Sequence, residues 1–174
     1  MTHSPSIGIH RSLLMKRSAT IFLQGVVVLV GIGALALMLW EPHLEGRNAH
    51  ATLFQIYLND PFLAYAYTGS IAFFIALYQA FKLLGYVRRG EVFSQHSVKA
   101  LRTIKYCAMT LAGFLLGAEA YFSIIQRSKE DIAGGVMMGL FLIFVSAIVA
   151  TAAAVFERTL QSAVELKSEN DLTV

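Results

Sequence analysis

The sequence predicts an all-α membrane protein, a four-helix bundle with both termini in the cytoplasm. Three observations predict it: an apolar surplus, four long apolar runs, and a lopsided distribution of lysine and arginine. Of 174 residues, 56% are apolar and 14% are charged. Soluble domains carry about 45–50% apolar residues with glycine counted, and about 25% charged ones. Here 13 glycines come on top of the apolar total. So few charges cannot cover a water-facing surface, and so apolar a chain is not intrinsically disordered. A bilayer is the solvent that suits it.

A helix needs about 20 mostly apolar residues to cross about 30 Å of hydrocarbon. The first run is Thr20 to Trp40, interrupted only by Gln24. Arg11, Lys16 and Arg17 precede it as in a secretory signal, but an h-region spans only about 7–15 residues. Leu37 to Trp40 also continue the run past the small residues Ala34 and Ala36. An uncleaved anchor is expected. The second run extends from about Phe62 to Leu84, the third from Tyr106 to Ile125 with one acid at Glu119, and the fourth from Ile132 to about Phe156. All four are apolar around the whole helix, as membrane spans are.

These runs divide the chain into a cytoplasmic segment (1–19), a transmembrane domain (20–156) and a cytoplasmic helical tail (157–174). Orientation follows the positive-inside rule. The N-terminal segment, the connection between the second and third spans, and the tail hold eleven of the 14 lysines and arginines. The other two connections hold only Arg47, Arg127 and Lys129. Trp40, Tyr57, Phe62, Tyr86 and Tyr106 fall near the predicted interfaces, where aromatic rings anchor spans.

Small residues suggest how the helices meet. Gly113 and Gly117 on the third span, and Gly135 and Gly139 on the fourth, form small-xxx-small patterns that let backbones approach closely. A tight antiparallel hairpin of these two spans is expected, with homo-oligomerisation as the alternative use of the motif. Ala150 and Ala154 repeat the spacing further along.

In the basic connection, Gly90 marks a turn and Ser94 a helix N-cap. Beyond it Val98, Leu101 and Ile104 share one face. Lys99, Arg102 and Lys105 lie largely on others, a form suited to an anionic membrane surface. Arg88, Arg89, Lys99, Arg102 and Lys105 keep this loop inside, or dock an acidic partner. The tail carries Glu157, Glu165, Glu169 and Asp171, with Phe156, Leu160 and Val164 at four-residue spacing. Opposite charge and shared location predict that it pairs with the basic helix within one chain.

The stretch Gly90-Glu-Val-Phe-Ser-Gln-His-Ser-Val-Lys-Ala-Leu-Arg-Thr-Ile104 resembles the central signature of the bacterial domain-of-unknown-function family 2975. That signature runs Gly-x-x-Phe-Ser, three residues, then Val-x-x-Leu-Arg-x-Ile. The ending Glu169-Asn-Asp-Leu-Thr-Val174 is similar to the family's, as is the four-span layout. Ser97 stands where the family frequently has asparagine, and Lys105 where it frequently has glycine. The resemblance implies a multi-pass protein of the bacterial inner membrane. It also implies a regulatory membrane partner for a small Cro/C1-type helix-turn-helix protein. It supplies no catalytic residues.

Glu119 is the most informative single residue. It lies about six residues, or about 9 Å, from the far end of its span. A charge at mid-membrane costs roughly 2.5–3.5 kcal/mol. It points nearly opposite the Gly113/Gly117 stripe and so should face another helix or a cavity. Tyr65, Tyr67, Thr68 and Ser70 lie at similar depth and are the expected partners. Glu119 then either orders the bundle through hydrogen bonds or senses protons or a ligand.

No catalytic, nucleotide or metal motif occurs. His43 and His50 share a loop with Glu41, Glu45 and Asp60, but their spacing matches no metal site. Cys107 is the only cysteine, so it cannot form an intrachain disulfide, and it reads as a small packing residue. The basic connection is too short and too close to lipid to bind nucleic acid. The expected function is a non-enzymatic regulatory or sensory module that needs no cofactor and docks a cytoplasmic partner. The alternative is a small transporter or channel coupled through Glu119.

Overall fold

A computed structural model describes residues 6–44, 61–125 and 132–171, with side chains described for 18–40, 63–124 and 134–170. Within these residues there are four helices and no strands: α1 (Ser6–Leu44), α2 (Pro61–Arg89), α3 (Gln95–Ile125) and α4 (Ile132–Asp171). At 1.5 Å per residue the shortest is about 43 Å long and the longest about 60 Å, all beyond the 30 Å hydrocarbon thickness. Each contains a stretch long and apolar enough to cross a membrane. The helices outrun the apolar runs. α1 begins at Ser6, well before Thr20, and α4 continues unbroken from the fourth span through the acidic tail.

The bundle is assembled serially. α1 packs on α2, α2 on α3, and α3 on α4, the last pair most extensively. Polar groups pin α1 antiparallel to α2 near both ends. Gln24 Nε2 donates to the Phe81 carbonyl at 3.3 Å, and the Tyr67 hydroxyl donates to the Met38 carbonyl at 2.8 Å. Gln24 is buried although it interrupts an apolar run. In hydrocarbon its amide must find an acceptor on a neighbouring helix, which makes it a local clasp. Most of α1 otherwise presents large apolar side chains outward, including Phe22, Leu29 and Leu37. Such a surface suits lipid as its solvent.

The α2–α3 turn is built as the sequence predicts. Gly90 has φ +77°, a left-handed conformation that costs little only for glycine. Its N–H bonds the Val87 carbonyl at 3.2 Å and the Glu91 N–H bonds the Tyr86 carbonyl at 2.9 Å, the paired bonds of a Schellman termination. Ser94 Oγ then accepts from the Ser97 N–H at 3.3 Å and caps α3. Ser97 is fully buried, and its hydroxyl bonds the Glu91 carbonyl at 3.2 Å. Val98, Leu101 and Ile104 are buried together, with Ala100 and Ala108 beside them. The packed core therefore sits at the turn end of the bundle, where the start of α1 and the end of α4 also lie.

Candidate functional site

Two polar constellations stand out, one at each end of the α3–α4 pair. The first is at the turn end. Glu157, one residue past the fourth apolar run, is buried and receives two cations from α3. Arg102 Nε lies 2.6 Å from its Oε1 and Lys105 Nζ 2.7 Å from its Oε2. The Glu157 side chain is 7% exposed, against 48% for Arg102 and 21% for Lys105. Hydrogen bonds from Lys105 and then Arg102 hold the Glu157 carboxyl below its usual range, against an opposing effect of burial. Arg102 Nη2 also reaches Gln161 Oε1 at 3.4 Å, and Gln161 Nε2 donates to Glu165 Oε1 at 3.1 Å. The basic helix thus pairs with the acidic tail inside one chain.

Two details of that pairing depart from the sequence reading. Lys99 is exposed and joins no ion pair among the described residues. At 100° per residue it points about 200° away from Leu101, on the side of α3 remote from α4. Phe156 points outward and Glu157 takes the inward position, while Leu160 and Val164 are half-buried. Of the five candidate docking residues, Arg102 and Lys105 are engaged by Glu157. Arg88, Arg89 and Lys99 remain as exposed charge at the same end. Phe93, 58% exposed, stands beside them.

The second constellation centres on Glu119. Its carboxyl lies in the notch left by the missing side chain of Gly139, which is buried on α4. A Cβ at Gly139 would overlap Glu119 Oε1 and approach Cδ to 2.7 Å. Oε2 is buried and has no hydrogen-bond partner among the described residues. The α4 segment from Gly134 to Ser146 contains no ionisable residue. Glu119 is therefore held by shape against α4, without a compensating charge among the described residues.

The expected partners on α2 do not reach it. The Tyr65 hydroxyl donates to the Phe114 carbonyl at 2.8 Å and lies directly over Gly117. Tyr67 bonds α1. Thr68 Oγ1 bonds the Ala64 carbonyl at 2.8 Å and Ser70 Oγ the Tyr67 carbonyl at 2.7 Å, both within α2. The reason is geometric. α3 lies between α2 and α4, and Gly117 and Glu119 are about 200° apart around it. The Gly117 face is taken by α2, so the acid faces α4. The same geometry separates the two glycine stripes. Gly117 receives Tyr65, Gly139 receives Glu119, and Gly113 and Gly135 meet nothing within 4 Å. The α3–α4 hairpin forms, but the stripes do not face each other.

A third feature was not legible in the sequence. A cavity of about 570 Å³ lies between α2, α3 and α4, with Met38 of α1 at its edge. Small α2 residues such as Ala66, Ala76 and Ala80 leave the space, and the walls are almost wholly apolar. Cys107 is one of the small lining residues; Glu119 is not among them. Residues 45–60, with Glu45, His50, Tyr57 and Asp60, lie outside the described residues, as do the side chains of Glu41, His43 and Phe62. Among the described residues, no three His, Cys, Asp or Glu side chains cluster for a metal.

Comparison with known proteins adds a lineage to this geometry. The chain is 40% identical over 161 residues to the uncharacterized membrane protein YoaS of Bacillus subtilis (strain 168), covering 92% of this chain and all of that one. No solved structure matches it. Residues 47–174 match the model of the family described as protein of unknown function DUF2975. That match takes in the turn, the signature helix, the Glu157 clamp and the Glu119–Gly139 contact. The chain is a multi-pass membrane protein and belongs to the DUF2975 family.

Proposed function

We propose that this chain is a non-enzymatic sensory or regulatory module of the bacterial inner membrane. In this reading the α3–α4 pair responds to the charge on Glu119 and presents the response to a cytoplasmic partner at the turn end. The observation that carries the reading is the buried, unpartnered Oε2 of Glu119 seated on Gly139. A neutral carboxyl can occupy that notch. A carboxylate there has no partner among the described residues, and an unpaired charge in hydrocarbon costs several kcal/mol. In this reading a charged Glu119 favours separation of α3 from α4 at that level.

α4 offers a route for the signal. It runs without a break from Gly139 to Glu157, 18 residues or about 27 Å. A stiff helix shifted at one end must move at the other, where Glu157 holds Arg102 and Lys105. With Lys and Arg concentrated on that side, the turn end faces the cytoplasm in this reading. Arg88, Arg89 and Lys99 are the charges left exposed there for an acidic surface of a helix-turn-helix partner. Transport is supported less well, because Glu119 does not line the large cavity and that cavity has apolar walls.

The test uses spin labels on α3 and α4 near Glu119 and again near the turn, in the full chain reconstituted in bilayers. Wild-type distances should change with pH at both levels. Glu119→Gln, which keeps size and polarity and removes titration, should abolish the change. Wild-type and variant distances that agree at every pH would overturn the reading.

A further inference from the structure

The cavity between α2, α3 and α4 has one polar feature that the Glu119 reading does not use. Ser146 of α4 is 6% exposed, lines the cavity, and its hydroxyl makes no hydrogen bond among the described residues. Other hydroxyls of the same helix return to their own backbone. Thr151 bonds the Ala147 carbonyl at 2.8 Å, Thr159 the Val155 carbonyl at 3.0 Å and Ser162 the Arg158 carbonyl at 3.2 Å. Ser70, the other serine on the wall, is bonded to Tyr67. A hydroxyl left open to an otherwise apolar pocket offers a hydrogen bond to a ligand there.

Shape and depth narrow the ligand. The lining runs from Tyr65 to Ala80 on α2 and from Ile104 to Ala118 on α3. The stretches are about 22 and about 21 Å long along their helices. A pocket this long, walled by three helices, suits a slender molecule lying along them. Ser146 lies ten residues from Phe156, about 15 Å, and so at the middle of the hydrocarbon layer. The ester oxygens of a phospholipid sit at the edge of that layer and do not reach it.

We infer that this cavity is a binding site for a slender, membrane-dissolved molecule bearing a carbonyl or hydroxyl within its apolar body, recognised by Ser146. Small residues of α2 shape the site and the Ser146 hydroxyl selects the ligand. A long-chain ketone or alcohol and a prenylated quinone share this chemistry. The inference does not depend on Glu119.

The test is binding to the full chain in nanodiscs of phosphatidylcholine. Four probes are titrated and thermal stability is read: a symmetrical long-chain ketone, its parent alkane, a prenylated benzoquinone and added phosphatidylglycerol. The ketone or the quinone should stabilise the protein saturably, the stronger of the two identifying the ligand type, with the alkane clearly weaker. Ser146→Ala should weaken binding of the carbonyl compound roughly five-fold, the worth of one hydrogen bond, and leave the alkane unchanged. Ala76→Leu, which fills the pocket, should abolish both; because it could also perturb packing, Ser146→Ala is the deciding variant. Equal binding of ketone and alkane, an unaffected Ser146→Ala, or displacement of the ketone by phosphatidylglycerol would each overturn the inference.

Discussion

Gly139→Ala tests the contact on which the proposed response rests. The added methyl would stand 2.7 Å from Glu119 Cδ and 3.3 Å from Cγ, and would overlap Oε1. Overpacking of this kind costs about 1–3 kcal/mol. Alanine in place of glycine within a helix returns about 0.5–1 kcal/mol. The net effect should be a destabilisation of about 1 kcal/mol. In a Glu119→Ala background the obstruction is gone, and the same substitution should stabilise by about 0.5–1 kcal/mol. The sign should therefore reverse between backgrounds, with a coupling energy of about 1–3 kcal/mol. A double-mutant cycle of reversible unfolding in mixed micelles measures it. If Gly139→Ala has the same effect with and without Glu119, the carboxyl does not occupy the notch and the reasoning fails.

The remaining predictions concern the turn end. Glu157→Ala leaves Lys105 half-buried opposite no anion and should cost about 2–4 kcal/mol in the same unfolding assay. Acid should act on the same group. Because the folded carboxyl titrates below its usual range, its contribution is complete above about pH 4.3 and is lost as pH falls through the lower folded value. Wild-type stability should drop more steeply than that of Glu157→Gln across that acid window. Gly90→Ala forces a side chain into the left-handed region and should cost about 1–2 kcal/mol, read as a lower midpoint in the same titration.

The sequence disclosed local features well and relations between helices poorly. Gly90, Ser94 and the Val98–Leu101–Ile104 face depend on residues within one turn of each other, and the structure places each as read. The pairing of Arg102 and Lys105 with the tail was also legible, because opposite charges at one membrane boundary leave few other partners. The partner of Glu119 was not. Its direction relative to Gly117 could be read on a helical wheel, but which neighbour lay on that side depends on the order of helices in space. The same ambiguity hid the separate uses of Gly117 and Gly139. The cavity left no sequence signal at all. It is the volume that Ala66, Ala76 and Ala80 fail to fill once α3 and α4 are in place, and alanines in an apolar run look alike whether they line a void or touch lipid.

These contacts divide the bundle into a firm end and a yielding one. The buried apolar residues Val98, Ala100, Leu101, Ile104 and Ala108 all lie in the first half of α3, and Ala153 of α4 joins them. The Schellman turn, the Ser94 cap and the Glu157 clamp lie at the same end. The far half holds the orphaned carboxyl oxygen and no buried apolar side chain among the described residues, while the cavity runs from the core residues Ile104 and Ala108 into it. Local stability follows buried contact, so openings of low free energy belong to the far half. The four residues that the family signature shares with this core or its clamp, Val98, Leu101, Arg102 and Ile104, thus belong to the packed base of the bundle. In the proposed reading, with α3 and α4 fixed there, a change of charge at Glu119 would act on the far half, and α4 is the continuous element that joins the two.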